Sequence, residues 1–222
     1  MYQNIYYQRR TNIVHIWDDK SGHLQIPLKK YAYRKDPNGN FISLYGDKLT
    51  KVYKWDEHEQ KNLWEADVPI ETRVLVDQYT DSDDMSDGHR KLTIDIEVEV
   101  TDGFPDPAKA DNPITSIAIY DDVMDQYSVF LYDKTHSVES RTKDGTIIES
   151  YGSEQEMLQN FFRKYLEIKP TIITGWNIDY FDIPYLYNRV VRVMGDKIAN
   201  CLSPIGEVNW SSFKNRYKIA GV

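Results

Sequence analysis

KLTIDIEVEV, residues 91–100, decides how the chain is read. Leu92, Ile94, Ile96, Val98 and Val100 fall on one side of an extended chain, and Thr93, Asp95, Glu97 and Glu99 on the other. Strict period-two alternation predicts a strand with one face on a core and an acidic face opposite. Beyond it come a loop rich in Pro, Gly and Asp (TDGFPDPAKADNP) and two more strand-like runs, ITSIAIYDD and QYSVFLYD, separated by a polar turn. Three successive strands with short connections predict an antiparallel meander. Between Glu154 and Glu167, Met157, Leu158, Phe161, Phe162, Tyr165 and Leu166 recur at helical spacing, and Pro170 ends the pattern. TIITGW (171–176) reads as a short buried strand, and Ile183 to Met194 as a second helix with Pro184 suited to its first turn. Strands first, then helix alternating with strand, predict a mixed α/β (α+β) sheet.

On the N-terminal side, TDSDDMSDGHR (80–90) is polar, acidic and carries a glycine near its end, which marks a linker. The expected organisation is a β-rich domain over 1–88, with the acidic linker at its end, and a second domain over 89–222. NIVHIW (12–17) alternates like a strand, DDKSGH supplies a turn, and Asp36-Pro37-Asn38-Gly39-Asn40 marks another before FISLYG. A helix with a thin apolar stripe is expected from about His58 to Ala66.

The 222 residues, 41% hydrophobic and 28% charged, describe a globular chain long enough for a core without disulfide or metal staples. No apolar run reaches the ~18 residues of a membrane span, and MYQNIYYQRR has no apolar h-region behind its basic residues. With one cysteine, Cys201, the default expectation is a cytoplasmic protein with no membrane partner. A net charge of −8 argues against nucleic-acid binding through a general basic surface. The charge is uneven: residues 1–35 carry seven basic and two acidic residues. A polyanion would therefore be met by local basic patches or through bound cations.

Asp95-Ile96-Glu97 sets two carboxylates on one face of a strand, an oxygen donor pair of the kind Mg²⁺ and Mn²⁺ select. On spacing alone, a half-exposed strand with an acidic outer face, extended by Glu99, is the simpler reading. In NIDYFD (177–182), Asp179 or Asp182 suits an ordinary helix N-cap, and a helix N-terminus also favours a carboxylate's charge. In Asp102-Gly103-Phe104-Pro105 the phenylalanine serves equally as an exposed ring for base stacking or as the buried residue of a turn. No P-loop, dinucleotide-binding glycine motif, zinc-spaced Cys/His cluster or nucleophile elbow is present. DSDDMSDG (81–88) fails as a calcium loop because Met85 stands at a ligand position.

In this order, these segments resemble the amino-terminal part of family-B DNA polymerases, the T-even-type phage subgroup above all. The resemblance rests on DIEVEVTDGFPDP (95–107), on PTIITGWNIDYFDIPYLYNRV (170–190) and on their separation, with a fainter echo in LYGDKLTKV (44–52). DIE is similar to the family's first exonuclease motif, and NIDYFD to the second, of form Asn-x-x-x-Phe-Asp. The resemblance implies a ribonuclease-H-like fold for the second domain and proofreading 3′–5′ exonuclease chemistry in DNA replication, with two Mg²⁺ or Mn²⁺ ions. Asp95 would bridge both ions, Glu97 would ligand one, and Asp182 would hold the other. Asn177 and Phe181 would orient the strand end, with Phe104 stacking near its terminal base.

The implied partners are a single-stranded DNA 3′ end and primer-template DNA, with RNA as a candidate for the N-terminal domain. A phage origin would place the protein in the host cell cytoplasm. The family's third motif, Tyr-x-x-x-Asp, does not occur in residues 183–222, where neither Tyr185 nor Tyr187 has an Asp four positions on. The exonuclease domain is therefore expected to be incomplete, either truncated or completed by a second polypeptide, and weakly active or inactive alone. The alternative is a non-catalytic nucleic-acid-binding or assembly piece that docks with a second polymerase chain, exposing apolar surface around 205–222.

Overall fold

The computed structural model describes residues 1–101 and 103–222. Asp102, the first residue of the DGFP element, lies outside the described residues. The chain forms two compact units, Met1–Ser86 and Asp87–Val222.

In the first unit, β1 (Tyr2–Gln8), β2 (Ile13–Asp18) and β3 (Gly22–Pro27) form an antiparallel sheet with β2 in the centre. A second sheet has the order β4-β6-β5, from β4 (Ala32–Lys35), β5 (Phe41–Ile42) and β6 (Lys48–Val52). The helix expected at His58–Ala66 is reduced to one turn, α1 (Glu57–Gln60), closed at its start by a capping box between Asp56 and Glu59. With none of its residues buried, this segment has nothing to pack and ends after that turn. A ten-residue helix that the sequence pattern did not signal, α2 (Ile70–Tyr79), follows and packs Val74 with Val14 and Ile16.

The second unit is built on a six-stranded sheet. Its strands are β7 (Lys91–Val98), β8 (Ile114–Asp121), β9 (Gln126–Tyr132), β10 (Arg141–Lys143), β11 (Thr146–Tyr151) and, beyond α3 (Glu154–Ile168), β12 (Ile172–Thr174). The order is β10-β11-β9-β8-β7-β12. β7, β8 and β9 form the expected antiparallel meander, while β11 runs parallel to β9 and β12 parallel to β7. α4 (Asp182–Met194), the one-turn α5 (Asp196–Ala199) and a hairpin of β13 (Val208–Ser211) and β14 (Arg216–Ile219) complete the unit. This is the mixed α/β arrangement of a ribonuclease-H-like domain.

The alternation of β7 holds as far as Val98: Leu92, Ile94 and Ile96 are buried, while Asp95 and Glu97 are exposed; the strand stops there, before Val100, which is exposed rather than on the buried face. Beneath them lie Met157, Leu158, Phe161, Phe162 and Tyr165 of α3 and Tyr185, Leu186 and Val190 of α4. Each large apolar side chain fully buried here contributes roughly 1.5–3 kcal/mol. Leu166, part of the expected apolar stripe, points outward, and Ile168 is buried in its place. TIITGW is not buried as a whole: β12 is the sheet's edge, with Ile172 39% exposed. Nor does the C-terminal stretch lie open, since β13 and β14 pair with each other and Ala220 is buried, leaving Trp210 and Phe213 as the large exposed apolar groups there.

One face of α4 holds the loop that follows β7. Tyr185, Asn188, Arg189 and Arg192 share that face, being spaced by three and four residues. The Tyr185 hydroxyl donates to Asn112 O (2.8 Å), Asn188 Nδ2 to Pro107 O (2.8 Å) and Arg192 Nη1 to Lys109 O (2.9 Å). Arg189 donates to Ala110 O and Asp111 O and makes a bidentate pair with Glu154 (2.8 and 2.7 Å). Glu154 also accepts from Ile114 N (2.8 Å), so this buried pair joins the starts of α3 and β8 to α4.

Removing one partner of such a pair leaves an uncompensated buried charge. Arg189→Ala should cost about 3–5 kcal/mol of unfolding free energy. Glu154→Ala should cost a similar amount, and the double variant well under the sum. Urea unfolding of the three variants checks this, and strict additivity would contradict it.

Candidate active site

β12 lies beside β7 only through Thr174, which faces Thr93. The chain then passes so close to β7 that a Cβ on Gly175 would sit 2.4 Å from Ile94 O, which only glycine avoids. It turns at Asn177, a non-glycine residue at φ 55°, whose carbonyl accepts from Tyr180 N (3.0 Å) and Phe181 N (3.1 Å). α4 begins immediately afterwards. Beyond the end of β12, the Ile96 N–H donates to Asp182 Oδ1 at 3.1 Å in a buried contact. Asp182 is thereby fixed against the residue that separates Asp95 from Glu97.

Neither acid of NIDYFD performs the N-capping role the sequence also allowed. The N-cap position of α4 is Phe181, with no side-chain cap, and Asp182 is the first helical residue. Asp179 forms an ion pair with Arg216 of β14. Burial pushes the Asp182 carboxyl above the usual carboxylate range; the Ile96 N–H pulls it back, and the charges of Asp95 and Glu97 add to the push. Asp182 therefore lies within the electrostatic field of both strand acids.

Phe104 is exposed (84%), not the buried turn residue that was the alternative. Its ring centroid is 5.3 Å from that of Phe181, which in turn lies 5.5 Å from Tyr185. The α4 clamp on residues 107–112 thus ends next to an aromatic pair at the helix start. Asn177 is exposed and contributes the turn rather than a visible side-chain contact. Sequence reasoning passed over Trp176 (92% exposed) and Tyr180 (60% exposed), which flank this turn. The signal available was the concentration of aromatics in GWNIDYF, of which only Ile178 and Phe181 pack against the core.

Among the described residues, no group of three or more His, Cys, Asp or Glu side chains is placed to hold a metal ion. Asp182 is held at Ile96, the residue between Asp95 and Glu97, yet the three carboxylates do not form a closed ligand set. Their chemistry nonetheless fits a hard divalent cation: three oxygen donors, two exposed and one buried, whose mutual repulsion a cation would relieve. Among the described residues, no helix is long and apolar enough to cross a membrane.

A family model described as DNA polymerase family B, exonuclease domain, matches residues 47–221. The chain is 33% identical over 153 residues to the DNA-directed DNA polymerase of Escherichia phage RB69, a match over 58% of this chain and 17% of that protein. It is 32% identical over 143 residues to the DNA-directed DNA polymerase of Enterobacteria phage T4, covering 54% of this chain and 16% of the relative. A match to the DNA polymerase delta catalytic subunit of Mesocricetus auratus is weaker, at 25% identity, but extends over 87% of this chain and 16% of that subunit. The chain spans about a sixth of the length of the curated relatives it matches.

Because its charge is disfavoured where it lies, Asp182 should oppose folding while divalent ions are absent. Asp182→Asn keeps an acceptor for Ile96 N–H and removes the disfavoured charge, so it should raise stability at neutral pH. Asp182→Ala strands that buried donor and should lower stability by about 1–3 kcal/mol. Denaturant midpoints measured with a chelator distinguish the two, and an equal loss in both variants would contradict the assigned repulsion.

Proposed function

The chain belongs to the family of DNA polymerase family B exonuclease domains, a proofreading region, and on that premise we propose a 3′–5′ exonuclease centre within residues 89–222. Its substrate is the 3′ end of a DNA single strand. Asp95, Glu97 and Asp182 are the ligands of Mg²⁺ or Mn²⁺, and Phe104, Phe181 and Asn177 position the strand end. The observation that carries this reading is the buried contact of Asp182 with Ile96 N, which holds the second acidic segment against the first.

A basic surface is not required for this chemistry. A phosphodiester and three carboxylates repel each other, so hydrolysis at this cluster needs cations between them. Two ions bound there would neutralise both sides, activate a water and stabilise the leaving oxygen. The protein's own contribution is placement. β7 presents Asp95 and Glu97 outward from a buried strand, and the turn at Gly175 and Asn177 directs Asp182 toward them. Phe104 offers a ring to the terminal base, backed by Phe181.

We further propose that this chain alone trims DNA slowly. The acids do not close a ligand set by themselves, and residues 183–222 contain no Tyr-x-x-x-Asp to supply a further carboxylate and a tyrosine beside the attacking water.

With single-stranded DNA bearing a free 3′ hydroxyl, the expected result is weak trimming that requires Mg²⁺ or Mn²⁺. Chelator or Asp95→Ala should abolish it. Phe104→Ala should weaken strand binding about 5- to 150-fold, the equivalent of one lost stacking contact of ~1–3 kcal/mol. Trimming that survives Asp95→Ala would overturn the assignment of the acids, and fast trimming by the unmodified chain would overturn the proposed dependence on a missing ligand.

A further inference from the structure

The first unit carries an open apolar hollow of about 410 Å³ on one face of the sheet β4-β6-β5. The strand register creates it. Tyr33 lies opposite Lys51, while Lys35 and Phe41 flank Leu49 from the two neighbouring strands, so these five side chains share a face. Leu49 is buried, and Tyr33, Phe41, Leu44, Tyr45 and Trp64 line the hollow around it. The Tyr45 ring leans on Trp64 with centroids 5.9 Å apart. Ile42, Leu44 and Tyr45 nevertheless stand open to water. Contiguous apolar side chains exposed beside a cavity mark an interaction surface.

Charge and backbone narrow the choice of partner. In a chain of net −8, residues 29–54 carry seven basic side chains and two acidic ones, Asp36 and Asp47. Asp47 is paired with Lys35 (2.6 Å), and Glu65, the one acid in the lining, with Arg73 (3.2 Å). The Lys51 ammonium stands 5.5 Å from the Phe41 ring and 5.7 Å from that of Tyr33, which places a cation at the edge of the hollow. The outer side of β4 is closed, because Tyr33 and Trp64 exchange backbone hydrogen bonds of 3.0 and 2.8 Å. β5 is the free edge of the sheet. Ser43 N donates to Asp47 O (2.9 Å), and antiparallel bonding alternates, so the neighbouring Ile42 turns its N–H and C=O outward. An extended segment added there gains hydrogen bonds and lowers alternate side chains into the hollow. The aliphatic share of the lining, Ile42, Leu44 and Leu49, suits an apolar side chain better than a flat base.

We propose that this face of the first unit docks an acidic, extended peptide segment of a partner protein. The segment pairs with the edge of β5, seats one large apolar side chain in the hollow and sets its carboxylates among the lysines of residues 29–54. The inference is independent of the exonuclease reading, since every residue it uses lies in the first unit.

The test uses the full chain and a fluorescein-labelled peptide, Asp-Glu-Thr-Val-Phe-Val-Thr-Glu-Asp, read by fluorescence anisotropy at low salt. Saturable binding is expected, and replacing the central phenylalanine of the peptide by alanine should weaken it roughly 10- to 150-fold, the loss of one buried side chain. A peptide with lysine in place of every acid should bind more weakly than the acidic one. On the protein, Leu44→Ser alters a fully exposed side chain and should weaken binding without changing the unfolding midpoint. Ile42→Pro removes the outward donor alone and should weaken it as well, with Leu44→Ser deciding the matter if that variant fails to fold. No saturable binding, or binding indifferent to both the central phenylalanine and Leu44→Ser, overturns the proposal. So does displacement of the peptide by octathymidylate at equal or lower concentration, since the face would then serve nucleic acid.

Discussion

The hydrogen bond from Ile96 N–H to Asp182 joins residues 86 positions apart and fixes where the second acidic segment meets the first. Several independent features converge on it. β12 stops opposite Thr93, leaving the Ile96 amide without a neighbouring strand on that side. Gly175 lets the chain pass against Ile94 O, and Asn177 takes the left-handed turn that starts α4 at the right height. A buried amide needs an acceptor, and a carboxylate supplies one. The same carboxylate sits near two others, so the contact that completes the fold also concentrates negative charge.

That tension separates stability from function in this unit. An apolar or amide side chain at 182 would relieve the repulsion, whereas the carboxylate retains an unfavourable charge beside Asp95 and Glu97. Sites that hold cations carry this cost when the cation is absent. The stabilising counterpart lies further along α4, where Arg189 and Glu154 join two helices and a strand, and where Asn188 and Arg192 hold the loop backbone. The helix thus presents an acid at its first turn and grips the Phe104 loop further along. Its position sets the acid and the aromatic pair together.

Much of this was legible in the residues. The alternation in KLTIDIEVEV gave β7, its buried face and its acidic face, and the apolar spacing from Met157 to Tyr165 gave α3. Pro184 marked the first turn of α4. Short, polar elements were not legible: β10 has no buried residue to create a pattern, and β13 and β14 are four residues each. Leu166 and Ile172 looked like core because apolar residues at the right period are not obliged to be covered. For the site, Asp95 and Glu97 were readable as a same-face pair, but the reach of Asp182 depends on a turn and a glycine contact that no local pattern encodes. That link is implied by the resemblance to family-B polymerases, whose exonuclease-domain model matches residues 47–221.

The most direct measurement of the central claim is a Mn²⁺ binding isotherm, followed by the electron paramagnetic resonance signal of free Mn²⁺. It should be recorded for the unmodified chain and for Asp95→Ala, Glu97→Ala and Asp182→Asn in parallel. If the three acids form one cation site, the unmodified chain shows saturable binding, and each substitution weakens it at least tenfold. Binding that persists undiminished in Asp182→Asn, or no saturable binding at all, would contradict the convergence of the two segments on a shared cation.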